Sequence, residues 1–458
     1  MGERVTEPIL HEPGLHEPSL HELTRVFGRI GFLSFGGPAV QIALMHKELV
    51  DDRGWISEER FLQALNFCHL LPGPEAQQLA TYIGWHLHGT KGGLIGGGLF
   101  VLPGALVMLC LSILYVHAAH LGWFTALFVG IKAAVLALVA QALLRIGKRA
   151  LDSSFKCLLA VLSFVGLFFL DLPFPLVVLG AGALGMAVAA FAPRWLALKA
   201  GPAARPAPSG RSLLGQAFRT ALVWGAIWGL PLAGIAAWLG PDHMLFGIGA
   251  FFSKLGAVTF GGAYAILAYM AQEAVRTHHW LSAGEMADGL GLAETTPGPL
   301  VMVTQFVGFL AAYRAPGPFS PMVAGILGAA VTTWTTFAPS FLGIFVCAPW
   351  IERLEHARRL QGGLAALTAA VVGVIANLAI WFAVHVIFAR VEAVKHGFVT
   401  LQTPDWRSID PLALALCILA FLLLFRTRIG VLGTLCACGA AAVTVRVLLP
   451  QAAAFFAG

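Results

Sequence analysis

Three cations stand where a chain this apolar has little reason to keep charge. Arg29 and Lys254 each lie seven residues before a Gly-Gly pair, at Gly36-Gly37 and Gly261-Gly262. Lys132 sits deep inside the apolar run GIKAAVLALVAQAL. The polar residues Gln41, Gln77, Gln78, Thr296 and Gln305 cluster in sequence around the same glycines and around two Pro-Gly-Pro triplets. Buried cations are costly at membrane depth and are functional by default. Helix N-termini that follow a chain break carry a partial positive charge that suits an anion. Such N-termini are expected at 75–78 and 300–303, directly after Pro72-Gly73-Pro74 and Pro297-Gly298-Pro299. Glu75 is expected to occupy the first of these caps itself, whereas Leu300 leaves the second free. Glu75 and Glu294 lie close to the triplets, and carboxyl groups in a partly dry site are candidates for proton coupling.

The elements that must position these groups form an internal repeat, which is settled before any local reading. Residues 27–74 recur at 252–299 with a constant offset of 225 and no gap. Phe35-Gly36-Gly37 falls on Phe260-Gly261-Gly262, Met45 on Met270, Glu48 on Glu273, Trp55 on Trp280, and one Pro-Gly-Pro on the other. Gly36, Gly37 and Pro38 break the first helix, because Gly exposes backbone and Pro lacks an N–H. Pro72, Gly73 and Pro74 break it again, as Pro297, Gly298 and Pro299 do in the second copy. Ser57 reads as a helix N-cap followed by acidic first-turn residues. Trp55 and Trp280 are expected to anchor at the membrane interface, and Glu48 and Glu273 to lie on solvated faces. Pro38, Gln41 and Glu75 become Ala263, Ile266 and Leu300, so the first copy is expected to supply more of the polar side chains.

Composition sets the class. The 458 residues are 58% hydrophobic and 11% charged, against about 25% charged in soluble domains. Apolar runs reach the ~20 residues needed to cross a bilayer. They are continuous rather than alternating, which excludes a β-barrel. The fold class expected is an all-α polytopic membrane protein, built as two homologous halves with broken or re-entrant helices. The net charge of +6 need not imply nucleic acid, because Lys and Arg collect in cytoplasmic loops. The seven Cys lack metal-site spacing and read as small apolar side chains. His11, His16 and His21 recur in a polar, Pro-punctuated tail whose prolines prevent a helix from aligning them. No metal or cofactor is expected.

Four regions follow: a polar tail at 1–23, a first repeat at 24–192, a basic Pro/Ala-rich linker at 193–217, and a second repeat at 218–450. Plain spans are expected near 92–116, 123–144, 155–170, 174–191, 218–239, 324–350, 362–388, 411–425 and 429–449. Basic clusters at 145–156, 194–219, 353–359 and 426–428 are placed in the cytoplasm by the positive-inside rule. The first copy then starts inside and the second outside. That is the inverted-repeat architecture of secondary transporters, with the site between the repeats near the midplane.

FGGPAVQIA from Phe35, the Trp55-Ile-Ser that follows, and LLPGPEAQQLATYIGW at 70–85 resemble the signature of the chromate transporter (CHR) family. FGGAYA and TTPGPL in the second half resemble its matching C-terminal domain. The resemblance covers nearly the whole chain and is to the long, two-domain type. It implies a secondary transporter that exports chromate across the bacterial inner membrane, with sulfate as a competing look-alike. A homodimer is a further expectation with no residue assigned to it. Two other readings remain. One is a sulfate or related oxyanion carrier working by uptake or exchange. The other is a membrane-embedded enzyme, which would need a His/Asp/Glu cluster on one intramembrane helix face. His86/His88, His117/His120 and His278/His279 instead sit at loops or span ends.

Overall fold

In the computed structural model, residues 17–197, 210–258, 263–351, 357–396 and 399–448 are described. Ser19 caps α1 (Leu20–Leu33) by accepting from the Glu22 N–H. Gly36 and Gly37 both take positive φ, 87° and 84°, and turn the chain into α2 (Pro38–His46), whose first helical position is Pro38. A π turn at Lys47–Asp51 leads to α3 (Glu58–Leu70), capped by Ser57. α4 (Glu75–Ala118) is not one rod. His88 and Gly89 leave helical geometry, with Gly89 at φ 57° and ψ −152°. The two arms run back along each other at glycine contacts. A methyl on Gly84 would lie 2.2 Å from the Gly92 carbonyl oxygen, and one on Gly96 2.5 Å from that of Ala80. α5 (Gly122–Ala150), α6 (Ser154–Phe168) and α7 (Phe174–Phe191) complete the first half.

α8 (Gly210–Leu239) leads into the second half. There follow α9 (Met244–Val258), α10 (Ala263–Gln272), a π turn at Glu273–Thr277, α11 (Ala283–Thr295), α12 (Val303–Arg314) and α13 (Pro321–Cys347). The chain closes with α14 (Arg358–Ile387), α15 (Pro411–Arg426) and α16 (Val431–Val443). Among the described residues seven helices are long and apolar enough to cross a membrane: Glu75–Ala118, Gly122–Ala150, Phe174–Phe191, Leu214–Leu239, Pro321–Trp350, Arg358–Ile387 and Val431–Leu448. The protein is a polytopic, almost wholly helical membrane protein.

The repeat is structural as well as sequential. The Trp55 N–H donates to the Leu49 carbonyl at 2.8 Å, and Trp280 repeats this with Ala274 at 2.8 Å. Ser282 caps α11 as Ser57 caps α3, here with a full capping box to Glu285. After α12 the correspondence shifts, so that Pro103-Gly104 in α4 answers to Pro339-Ser340 in α13. Gly31 lies so close to α4 that a methyl there would sit 2.1 Å from the Leu99 carbonyl oxygen and 3.2 Å from the Pro103 ring. Gly256 repeats the contact with Thr336 at 3.1 Å and Pro339 at 3.3 Å. The ends of the halves are exchanged. α6 and α7 pack on α14, while α15 and α16 pack on α5. Small residues permit this. A methyl on Gly130 of α5 would lie 2.2 Å from the Cys438 carbonyl oxygen of α16, and one on Gly185 of α7 2.5 Å from that of Gly362.

Three expectations need correction, and the helical fold carries one short hairpin: β1 (Val391–His396) and β2 (Val399–Pro404) pair antiparallel, from Val391 opposite Pro404 to His396 opposite Val399. Residues 391–394 read Val-Glu-Ala-Val, too short a stretch for a search for long apolar runs to register. Trp55 and Trp280 are buried rather than interfacial, at 2% and 7% exposure. Trp280 stacks on His278 and packs edge-on to Phe251, so its ring joins the core. Glu48 is buried too, held between Arg29 and Arg53. The linker is shorter than expected, because α8 already begins at Gly210. Its residues 198–209 lie outside the described residues, as do 1–16 of the tail with His11 and His16.

Candidate functional site

The first Gly-Gly break and the second Pro-Gly-Pro break meet between the halves. α1 ends at Ser34, whose carbonyl is left without a helical partner. The Gly298 N–H fills that vacancy at 2.8 Å. Gln41, one turn into α2 and 1% exposed, donates its amide to the Gly298 carbonyl at 2.5 Å and to the Ser34 carbonyl at 3.3 Å. Gly298 has φ 85°, and Gly104 of α4 lies beneath the triplet, where a methyl would sit 2.4 Å from the Pro297 oxygen. Pro38, Gly36 and Gly37 on one side therefore face Pro297, Gly298 and Pro299 on the other. Gln305 ties the same place together. Its amide donates to the Ala105 carbonyl at 2.8 Å, and its oxygen accepts from Thr333 at 3.0 Å. Broken backbone at membrane depth is tolerated only where protein or a water-filled cavity covers it. Here each break satisfies the other.

The reciprocal place lies at the first Pro-Gly-Pro. Gly73 has φ 122°, and a methyl on it would meet the Ser340 hydroxyl of α13 at 2.4 Å and the Gln78 amide nitrogen at 2.9 Å. Gln78 donates to the Pro72 carbonyl at 2.6 Å across the break, and Gln77 donates to the Thr81 hydroxyl at 2.9 Å. Gly261 and Gly262, expected here, lie outside the described residues. The Gln41, Gln77 and Gln78 amide oxygens and the Thr336 and Ser340 hydroxyls are buried with no hydrogen-bond partner among the described residues. Native interiors seldom leave such groups unpaired without a reason. Pro74 and Pro299 precede helical turns that no side chain caps, although the Met302 N–H already bonds the Pro299 carbonyl at 2.9 Å. Free hydroxyls and N–H groups are donors to an oxyanion. The amide oxygens suit water or a protonated ligand oxygen.

Several predicted site residues stand elsewhere. Glu75 does not cap its helix; its carboxylate lies 3.1 Å from His69 of α3. Arg29 is 60% exposed and turns to Glu48 at 3.7 Å. Seven residues are two turns of helix, which carry the side chain away from the break, and a buried carboxylate there needs countercharge. Lys254 is exposed and hydrogen-bonds Tyr269. Thr296 is buried beside its triplet but bonds its own helix, at the Ala293 carbonyl, 3.0 Å away. Glu294 is buried, with the Tyr264 hydroxyl at 3.4 Å. Lys132 pairs with Asp288 at 3.0 Å, and Asp288 also accepts from the Tyr115 hydroxyl at 2.8 Å. Asp288 lies nine residues before Pro297, about 14 Å along a helix, so Lys132 is not at the crossing of the breaks.

Sequence reasoning passed over Ser34, Gly104, Thr336, Ser340, Asp288 and Tyr115. The repeated Pro103 and Pro339 inside long apolar helices pointed to Gly104 and Ser340, and an acidic residue within ADGLGL pointed to Asp288. Beyond the apolar turns, at the polar end of α2, His46 bonds Glu58 and Asp51. The Glu58 hydrogen bond holds its imidazole protonated to higher pH than usual. Among the described residues no group of three or more His, Cys, Asp or Glu is arranged to hold a metal.

The family model described as "Chromate transporter" matches residues 21–186 and 246–443. A chromate transport protein of Pseudomonas aeruginosa is 33% identical over 358 residues, covering 76% of this chain and 77% of the relative. One of Cupriavidus metallidurans is 30% identical over 363 residues, covering 78% and 81%. An uncharacterized transporter of Methanocaldococcus jannaschii is 27% identical over 403 residues, covering 87% and 88%. No solved structure matches the chain.

Proposed function

The chain belongs to the chromate transporter family, and on that premise we propose that it exports chromate from the cytoplasm across the inner membrane by alternating access. The observation that carries this reading is the mutual clasp of the two breaks, Gly298 on Ser34 with Gln41 across both. Its bonds join opposite halves, so a rocking motion of one half on the other would exchange them for bonds to a ligand. Chromate is a tetrahedral dianion. The unpartnered Ser340 and Thr336 hydroxyls and the uncapped first turns after Pro74 and Pro299 offer it donors. The halves are taken as inverted, with the basic loops inside. Sulfate has the same shape and charge and competes for the same donors.

Charge makes export of a dianion the electrically downhill direction. One charge moved through 100 mV is worth about 2.3 kcal/mol. A dianion leaving a cytosol at roughly −150 mV gains on the order of 7 kcal/mol, about 10⁵ in concentration ratio. Export therefore runs without a coupling ion, whereas uptake needs one. Of the two carboxyl groups beside the triplets, Glu75 is paired with His69, and Glu294 has the Tyr264 hydroxyl as its neighbour. Uptake of labelled chromate into inside-out vesicles tests the reading. An inside-positive potential should raise the initial rate, and excess sulfate should lower it. Flux indifferent to potential would overturn electrogenic export.

A further inference from the structure

The Lys132, Asp288 and Tyr115 cluster is unexplained by the crossing of the breaks. Lys132 is on α5 and Tyr115 on α4, both in the first half, while Asp288 is on α11 in the second. Asp288 is 6% exposed. Tyr115 is fixed edge-on against Phe124, Phe128 and Phe306. A buried ion pair is weak as a stabilising device, since desolvation offsets the attraction. Tyr115 lies eleven residues beyond Gly104 on α4, about 16 Å of helix. It lies toward the uncharged turn at 119–121 and away from the basic end of α5 at Arg145, Lys148 and Arg149. By the positive-inside rule that is the outer side of the breaks.

We propose that Lys132 is an exit-side oxyanion subsite, from which the leaving anion displaces Asp288 as that carboxylate takes up a proton from the outer medium. This rests on the export reading above. Two features make room for an anion at Lys132. Gly284 faces the ammonium and presents no side chain to it; a methyl there would stand 3.6 Å from the nitrogen. The same glycine lies in the first turn of α11, whose N-terminal end adds positive potential, while the Ser282 hydroxyl is already given to the Glu285 carboxylate at 3.0 Å. The groups around Asp288 are Lys132, Tyr115, Glu285 on its own helix, and Arg314 of α12, which is paired with Glu285. α14 carries Arg358, Arg359 and His385 at its ends, and Cys438 of α16 donates to the Leu416 carbonyl. Lys132 and Arg314 against Asp288 and Glu285 sum to zero charge. One proton on Asp288 leaves a single positive charge, which suits an anion. When the anion departs, the proton returns to the outer water and the ion pair re-forms, so no net proton crosses.

Among the described residues the inner side keeps no such trio. The positions equivalent to Lys132, Asp288 and Tyr115 are Thr368, Gln63 and Ile351. Thr368 bonds the Leu364 carbonyl of its own helix, and Gln63 accepts from Arg60.

Right-side-out vesicles loaded with labelled chromate, held at fixed potential, test the proposal through the pH of the medium. Efflux from wild-type vesicles should rise as the medium is acidified. Asp288→Asn should abolish that pH response, and Lys132→Gln should lower efflux at every pH. Tyr115→Phe removes a hydrogen bond to the ionised carboxylate, so the midpoint of the response should move up by about one pH unit. A wild-type response in Asp288→Asn, or an unmoved midpoint in Tyr115→Phe, overturns the proposal. The Tyr115→Phe result decides alone if Asp288→Asn does not reach the membrane. Potential-driven flux with no pH response in the wild type also overturns it and leaves the export reading intact. No flux in the wild type overturns the export reading.

Discussion

Gln41 and Ile266 hold equivalent places in the two repeats and are equally buried, at 1% each. Gln41 reaches across to the Gly298 carbonyl, whereas Ile266 packs in the apolar core. Gly104 and Ser340 differ in the same manner. Each lies under the opposite half's Pro-Gly-Pro, but one brings no side chain and the other an unpartnered hydroxyl. The duplication has preserved backbone geometry, because positive-φ glycines and helix breaks cannot be exchanged cheaply. Side-chain chemistry has diverged around it. The amides Gln41, Gln77 and Gln78 come from the first half. The hydroxyls Thr336 and Ser340 and the carboxylates Asp288 and Glu294 come from the second. The second half thus supplies polar groups of its own beside those of the first.

Exchanging Gly104 and Ser340 breaks the comparison most severely. Gly104→Ser drives a Cβ to 2.4 Å from the Pro297 oxygen, a backbone atom fixed by the Ser34–Gly298 clasp. The loss should be about 3 kcal/mol, with chromate flux down more than tenfold. Ser340→Gly should leave thermal stability within about 1 kcal/mol, since no protein partner is lost, yet lower chromate affinity. Thermal unfolding in detergent and vesicle flux read the two effects. Equal stability losses would mean that the halves do not differ in how closely they pack at the breaks.

Giving each half the other's residue one turn after the break is a smaller perturbation. Gln41→Ile removes both amide bonds and leaves the Gly298 carbonyl unmatched, at a cost of about 2 kcal/mol. Ile266→Gln places an amide where the surroundings are apolar, for about 1–2 kcal/mol. Flux should fall severalfold in Gln41→Ile and much less in Ile266→Gln. The reverse order would move the functional crossing to the other pair of breaks.

The parts legible in the sequence are those fixed by a few local residues. Gly36-Gly37-Pro38 and the two Pro-Gly-Pro triplets dictate breaks whatever surrounds them, and Ser57-Glu58-Glu59 dictates a cap. A separate span from 92 implied a break before it, but that the two arms of α4 fold back along each other at His88-Gly89 was not legible, because GTKGG does not state the turn angle. Pairings between distant residues were hidden for another reason. Lys132 meets Asp288, and Arg29 meets Glu48, through packing that no spacing encodes. The same holds for the exchange of α6 and α7 with α15 and α16 between the halves. A repeat reports which elements correspond, but not which of them touch.

The weakest difference between the halves tests the comparison where the site is not involved. His46, Glu58 and Asp51 form a charged group at the end of α2, while the equivalent residues are Ala271, Ala283 and Arg276, the last paired with Asp171. Glu58 and Asp51 are each 56% exposed, so the group is worth less than about 1 kcal/mol. Its pH dependence has a definite sign. The imidazole binds its proton more tightly in the folded state, chiefly through Glu58. The stabilisation is therefore complete below the ordinary imidazole pKa of about 6.5 and fades as pH rises through the raised value. His46→Gln should lower the melting temperature by a degree or two at about pH 6 and leave it unchanged at about pH 9. Ala271→Gln in the second half should show no such difference between the two pH values. If His46→Gln lost as much at pH 9 as at pH 6, the contribution of His46 would lie in its packing against Phe61 rather than in its charge.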